Sequence, residues 1–219
     1  MKRKIMLYVI LAAMVIAGGA IGGYFWYQGQ NYISTEDSRL AGNIYKVMPR
    51  ITGKVTSLQV EEGEHVLADQ IIGKQDINSL ATSSIDQAAL RSPIEGTVIK
   101  TLIRAGEVAS LGQAVAMVVD TNKLYVSANI EETIINKIRD GQKVDIKLDN
   151  FPGKVLTGKV SEISKATAST FSLLPATNTS GNFTKVTQRI PIKIAIDDNQ
   201  GLNLLPGIST TIKIHLKSN

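Results

Sequence analysis

The side chains whose types could do chemistry are His65 and His215, the adjacent carboxylates Asp197 and Asp198, and the serines Ser169 and Ser172. The histidines sit on unrelated strand-like segments, which does not suit a zinc site of the usual type, so each reads as a surface histidine. Neighbouring residues on a strand end point to opposite faces, so Asp197-Asp198 is no carboxylate pair. A turn before Asn199-Gln-Gly201 explains the two better. The serines lack a G-x-S-x-G setting and have no histidine nearby. The absence of cysteine excludes disulfides, thiolate metal sites and a cysteine nucleophile. With no P-loop and no glycine-rich dinucleotide turn either, the residues predict no enzyme, no metal and no cofactor. An interaction protein is the default.

Composition narrows the partners. Of the net charge of +5, three units come from Lys2, Arg3 and Lys4, and the rest of the chain carries 21 basic against 19 acidic residues. There is no basic patch interleaved with aromatics, so nucleic acid is not an expected partner. From Ile5 to Tyr27 the chain has 23 residues without a charge, enough as a helix to cross a hydrocarbon core of about 30 Å. The preceding basic residues place the N-terminus in the cytoplasm, and Tyr24-Phe-Trp-Tyr27 suits the far interface. The rival is a cleaved signal peptide ending near Ala17-Gly-Gly-Ala20, but the apolar run continues past that point. The pairs Gly18 with Gly22 and Gly19 with Gly23 form two overlapping GxxxG patterns and are candidate contacts for another transmembrane helix. A glycine-rich helix end without a partner reads equally well.

The elements that organise the remainder come in duplicate. Ile51-Thr-Gly-Lys-Val55, Gly63-Glu64 and Gln70-Ile-Ile72 recur 43 residues later as Ile94-Glu-Gly-Thr-Val98, Gly106-Glu107 and Gln113-Ala-Val115. One such unit cannot bury its apolar face alone, so the copies must pack together as a small β-sandwich. The halves cover about 47–76 and 91–120, joined by a short linker, 77–90, into which at most one short helix through Ser84–Leu90 fits. Beyond them, Lys123–Ala128, Lys143–Leu148, Val155–Ile163, Gln188–Ile196 and Ser209–Leu216 read as strands. Asn129-Ile-Glu-Glu132 has capping-box spacing and predicts a helix to about Arg139 that buries Ile130, Ile134, Ile135 and Ile138. The expected fold is therefore mainly β. Residues 1–34 form tip, anchor and tether, 35–120 the sandwich, and 121–219 a small barrel with one short helix, to which strand 35–46 could contribute.

Lys165–Asn182 is too long for an ordinary loop and too apolar for a free linker. Phe171, Leu173 and Leu174 there, with Phe183 just beyond, either plug one end of the barrel or form a contact patch for a partner or exported molecule.

Paired halves of this kind resemble the biotinyl/lipoyl-like domain, in which a modified lysine sits on the hairpin joining the halves. Lys74, in Gly73-Lys-Gln-Asp76, lies near that junction, but the flanking methionine or alanine context is missing, and a solvated turn lysine is preferred. In order along the chain, Thr35-Glu-Asp37 with Ala41-Gly42, Pro49-Arg-Ile-Thr-Gly-Lys-Val55, Arg91-Ser-Pro-Ile-Glu-Gly-Thr-Val98, Asn129-Ile-Glu-Glu-Thr133 and Gly141-Gln-Lys-Val144 resemble the HlyD/EmrA-like membrane fusion proteins. Phe171-Ser-Leu-Leu-Pro-Ala-Thr-Asn-Thr-Ser-Gly-Asn-Phe183, running on to Gln188-Arg-Ile-Pro191, is particularly similar to the EmrA branch. The resemblance implies a single-pass, non-enzymatic adaptor that assists export of drugs or other small molecules. Its expected partner is an inner-membrane transporter of the major facilitator type; a homo-oligomer is also expected. The family's long helical hairpin between the halves is missing, which puts an outer-membrane channel partner in doubt. The competing readings are a membrane-anchored carrier subunit using Lys74, which a biotin or lipoyl mass would reveal, and a structural envelope protein sharing the fold.

The topology is testable. Protease added to intact spheroplasts is expected to digest residues 35–219, and complete protection would refute a cytoplasmic N-terminus.

Overall fold

Short runs of β-branched residues whose side chains alternate between buried and exposed set the architecture. The computed structural model describes residues 14–24, 29–76, 86–167 and 187–216 and resolves into two units, Met1–Arg39 with Val126–Leu202 and Ile208–Asn219, and Leu40–Tyr125 with Asn203–Gly207.

In the first unit, β1 (Tyr32–Ala41) joins five later strands in a closed barrel. In the second, the strands are β2 (Ile44–Val47), β3 (Gly53–Leu58), β4 (His65–Val66), β5 (Ile71–Gln75), β6 (Ala89–Arg91), β7 (Gly96–Thr101), β8 (Val108–Ala109) and β9 (Ala116–Val119). They form two four-stranded sheets, ordered β2-β9-β7-β4 and β6-β5-β3-β8. The 43-residue repeat is obeyed to the level of single hydrogen bonds. His65 pairs with Thr97 and Val66 with Gly96; the shifted pairs are Val108 with Lys54 and Ala109 with Gly53. Gly63 donates to the Val98 carbonyl and Gly106 to the Val55 carbonyl, each at 2.7 Å. Both glycines turn with positive φ (93° and 98°), where a Cβ would be strained. Each half thus lends its two-residue strand to the other half's sheet. The core between the sheets is equally paired: Val47 with Leu90, Val55 with Val98, Val60 with Ile103, Val66 with Ala109, and Ile72 with Val115, all buried.

The symmetry breaks at several buried positions, among them Ser92 against Pro49 and Gln75 against Val118. Where the second half has Val118, the first has Gln75, 2% exposed, whose amide Nε2 donates to the carbonyls of Ile51 (3.1 Å) and Gly53 (3.2 Å).

The barrel continues with β10 (Tyr125–Glu131), β11 (Lys143–Leu148), β12 (Val155–Ile163), β13 (Arg189–Ile196) and β14 (Ser209–His215), in the order β1-β10-β13-β12-β11-β14. Alternate residues face inward: Val126, Ala128 and Ile130; Val144, Ile146 and Leu148; Ile212 and Ile214. Closure leaves no free sheet edge.

The helix expected from Asn129 is corrected. Asn129 and Ile130 continue strand β10, and helical structure is confined to the 3-10 turn Ile135–Lys137. The reason is that Val126, Ala128 and Ile130 already alternate toward the core, while Ile130, Ile134, Ile135 and Ile138 are β-branched and poor helix formers. Ile130 and Ile138 are buried; Ile134 and Ile135 are only half-buried. In the linker, residues 86–88 form one 3-10 turn and Ala89 already begins β6, so no helix runs to Leu90. Lys74 is also not a turn lysine. It stands exposed within β5, between Ser57 and Ala89. At the N-terminus residues 14–24 are helical, with Met14, Val15, Ile16 and Ile21 exposed, and among the described residues no helix is long and apolar enough to cross a membrane.

Equivalent glycines of the repeat should respond differently to alanine. A Cβ on Gly96 would clash with the Val119 carbonyl oxygen, whereas on Gly53 its nearest neighbour is the Gln75 side chain at 3.5 Å. Gly96→Ala is expected to lower stability by about 1–3 kcal/mol or more, as overpacking does. Gly53→Ala should stay within about 0.5 kcal/mol of the parent in chemical denaturation, the usual range for surface substitutions.

Candidate functional site

Four chain segments converge on one end of the barrel: the entry at Asn31–Tyr32, the turn after Glu131, the long connection from Ile163 to Arg189, and the exit at His215–Leu216. That end is built from side chains that close backbone hydrogen bonds. The buried Gln142 accepts from Arg139 N (3.1 Å) and donates to the carbonyls of Lys137 and Leu216 (both 3.3 Å). Leu216 N in turn donates to the Asn31 carbonyl (2.9 Å), which ties the chain's exit to its entry.

The connection that carries the expected contact patch is clamped at both roots. Ser164 N donates to Pro191 O and Glu132 N to Gln188 O, both at 3.0 Å. Beside them lies a cluster centred on Asp37. Strand β1 bulges between Thr35 and Ser38, where Asp37 N donates to Thr35 Oγ1 (3.1 Å), and the bulge aims the carboxylate outward. Asn129 of β10 donates to one carboxylate oxygen (3.1 Å), and Arg189 of β13 forms an ion pair with the other. Three strands are thus joined at the point where the connection returns. The sequence held the signal, since Asp37, Asn129 and Arg189 lie in three of the fragments that carry the family resemblance; taking Asn129 for a helix cap concealed it. Phe171, Leu173, Leu174 and Phe183 themselves lie outside the described residues. Gly18, Gly19, Gly22 and Gly23 lie on the exposed helix 14–24, with nothing within 4 Å of an added Cβ.

Elsewhere several charged groups are paired with one another. In the second unit, one cleft of about 470 Å³ includes Lys46, Arg50 and Arg91, the last bonded to Asp86 (2.9 Å) and paired with Asp69 (3.5 Å). Another, of about 490 Å³, holds His65 with Glu95 (3.4 Å) and Lys123 with Asp120 (3.0 Å). The Asp120 carboxylate, by hydrogen bond and then by charge, raises the Lys123 pKa above its ordinary value. His215, half-buried on the barrel, bonds Asp145 at 2.7 Å. Asp198 accepts from Gln200 N (2.9 Å) in a turn, as its sequence context predicts. Among the described residues no group of three His, Asp or Glu side chains could hold a metal ion.

Comparison with known proteins agrees with this architecture. Residues 43–121 match the RND MFP barrel-sandwich hybrid domain, and residues 123–215 the AAEA-like beta-barrel domain. The chain is 38% identical over 212 residues to the "Putative efflux system component YhbJ" of Bacillus subtilis, covering 97% of this chain and 92% of that protein. It is 41% identical over 128 residues to the colistin resistance protein EmrA of Acinetobacter baumannii, covering 58% of this chain but only 36% of that longer one. The membrane fusion protein Spr0693 from Streptococcus pneumoniae R6 has the same fold, with a TM-score of 0.61 at 17% identity over 85% of this chain and 99% of that one.

A double-mutant cycle on Asp37→Ala and Arg189→Ala is expected to give a coupling of about 0.2–1 kcal/mol, because both side chains are half-exposed. Asp37→Ala should cost more than Arg189→Ala, since it also releases Asn129. Equal costs without coupling would mean that the cluster does not hold the strands together.

Proposed function

The chain belongs to the HlyD/RND type of membrane fusion proteins, without the long hairpin, and from that premise we propose that it is a non-enzymatic adaptor of an efflux system, anchored in the inner membrane by residues 5–27. The observation that carries this reading is the collinear match over nearly the whole of both chains to the Bacillus efflux system component. The sandwich and barrel occupy the same order as the two matched family domains. A carrier role is not favoured, because Lys74 sits within a paired strand and not on an exposed hairpin tip.

In this role the bulk of the chain lies outside the cytoplasm, and the transporter it serves is of the major facilitator type. The EmrA-like stretch 171–183 supports that pairing. The adaptor works as a homo-oligomer, since one small barrel offers a transporter only a limited surface. A distal channel is not part of the proposal, because only residues 77–90 stand where a reaching hairpin would be. Phe171, Leu173, Leu174 and Phe183 form the contact to the transporter or its cargo, on a connection whose roots are fixed by Ser164, Gln188 and the Asp37 cluster.

Two measurements separate the possibilities. A multi-spanning transporter is expected to co-purify with the full chain and drug export to fall when the chain is deleted; a chain that binds no transporter and whose loss leaves export unchanged would overturn the adaptor role. Changing Phe171 and Leu174 together to serine should abolish export with the denaturation midpoint shifted by no more than about 0.5 kcal/mol. A loss of several kcal/mol would instead make them a core plug.

A further inference from the structure

The outer face of the barrel carries an unbalanced row of cations at the end where the chain enters. Strand register places Lys159 directly opposite Lys143, and the next pairing, Val144 with Ile214, sets Lys143 beside His215. His215 faces Tyr32, and the Lys213 Nζ lies 4.0 Å from the Tyr32 ring centroid. Across β12, β11, β14 and β1 the row therefore reads lysine, lysine, histidine, tyrosine, with Lys213 laid over the last. The carboxylate within this row is Asp145, and it is shared: it bonds His215 at 2.7 Å and stands opposite Lys213 in the register. Lys143 and Lys159 are exposed and make no ion pair among the described residues. Two like charges directly opposite on neighbouring strands cost stability unless an anion lies between them. Further out, Lys147 adds to the positive face, while in the adjoining turn Arg139 donates to the carbonyls of Asn136 and Ile138 and Asp140 brings the opposite charge.

Chain connectivity says what the anion is. Tyr32 opens β1, the preceding residue is buried and hydrogen-bonded to the exit strand, and only four residues separate Tyr27 from Tyr32. At no more than about 3.6 Å per residue, Tyr32 stays within about 18 Å of the end of the apolar run. Headgroups fill roughly the first 5–8 Å beyond the hydrocarbon. The tether is short enough to bring Tyr32 to that zone, and a tyrosine with lysines around it is the composition of an interfacial contact.

We propose that the Lys143–Lys159–Lys213 row with Tyr32 is a docking face for anionic phospholipid headgroups, holding the barrel against the bilayer. It rests on the reading that residues 5–27 are the membrane anchor. The face adds charge-dependent contact to a tether that by itself fixes only distance, and so sets which side of the barrel turns to the lipid.

The chain contains no cysteine, so one label can be placed cleanly. Thr157, exposed and opposite Asp145 in the register, is replaced by cysteine in the full chain and labelled with a fluorophore. The chain is then inserted into phosphatidylcholine vesicles with or without phosphatidylglycerol, each containing nitroxide on a fraction of headgroups. Strong quenching is expected with phosphatidylglycerol, weak quenching without it, and loss at high salt. Each lysine near an anionic surface is worth about fivefold in local concentration. Lys143→Gln should therefore weaken the lipid-charge dependence about fivefold, and the triple change Lys143→Gln, Lys159→Gln, Lys213→Gln should remove it at an unchanged denaturation midpoint. A triple variant that loses its midpoint is replaced by the single Lys143→Gln, whose side chain is exposed; no weakening there overturns the proposal. Alkali extraction reports anchoring separately. An inserted chain whose label ignores lipid charge overturns the docking face and leaves the anchor standing. A chain washed from both vesicle types overturns the anchor and the docking face with it. Quenching that appears in phosphatidylcholine alone, and only when the transporter is co-inserted, would assign the row to an acidic protein partner and overturn the lipid assignment.

Discussion

The exchange of two-residue strands between the halves of the sandwich is the constraint on which that unit depends. Strand β4 belongs by sequence to the first half but completes the sheet of the second, and β8 does the reverse. Neither half can therefore form its sheet alone. Isolated hairpins are marginal in water, so the pairing must come with burial of the shared core. Each fully buried Val, Ile or Leu is worth about 1.5–3 kcal/mol, against about 0–1 kcal/mol for exposed ion pairs such as Lys193 with Glu162. The paired apolar side chains decide the fold, and the surface charges do not.

The same constraint explains the repeated polar residues. Glu64 accepts from Glu61 N and Glu107 from Arg104 N, both at 3.0 Å, so each carboxylate closes the turn that leads into its exchanged strand. Gln70 does this for Leu67 N (2.8 Å) and Gln113 for Ser110 N (3.2 Å). Gln142 repeats the device in the barrel with Arg139 N. These turns are exposed except at Arg139, so each bond is worth the net of about 0.5–1.5 kcal/mol of an ordinary hydrogen bond, and the side chains serve the local backbone.

Most of this was legible from spacing. The period of 43 residues is matched by equivalent strand pairings, and alternation found β11 and β12 to the residue, with Val144, Ile146 and Leu148 inward on one and Leu156, Gly158 and Val160 on the other. What misled was local. Asn129-Ile-Glu-Glu132 satisfies a capping pattern, yet its asparagine is drawn to Asp37, which lies 92 residues earlier in the chain, and its glutamate N–H to Gln188. A pattern read within one turn cannot see a partner brought by tertiary pairing. The Asp37 cluster was hidden for the same reason: each member is an ordinary surface residue until β1, β10 and β13 are laid side by side. The lysine row, likewise, exists only in the register.

The short linker also has a structural meaning. Strands β5 and β6, which flank it, are direct neighbours, with Lys74 paired to Ala89. Their connection must therefore bridge only the spacing between adjacent strands, about 4.8 Å. Closing a flexible loop between fixed ends costs only about 0.6 kcal/mol more for each doubling of its length. The sandwich is consequently indifferent to whether this position holds a few residues or a long helical insertion with its own packing. That indifference is what allows the family fold to persist here without the hairpin. Reach toward a distant partner can be removed without touching the paired core or the clamped barrel end. In the barrel unit the chain entry, the Asp37 cluster and the roots of the long connection gather at one end, and none of them depends on the length of that linker.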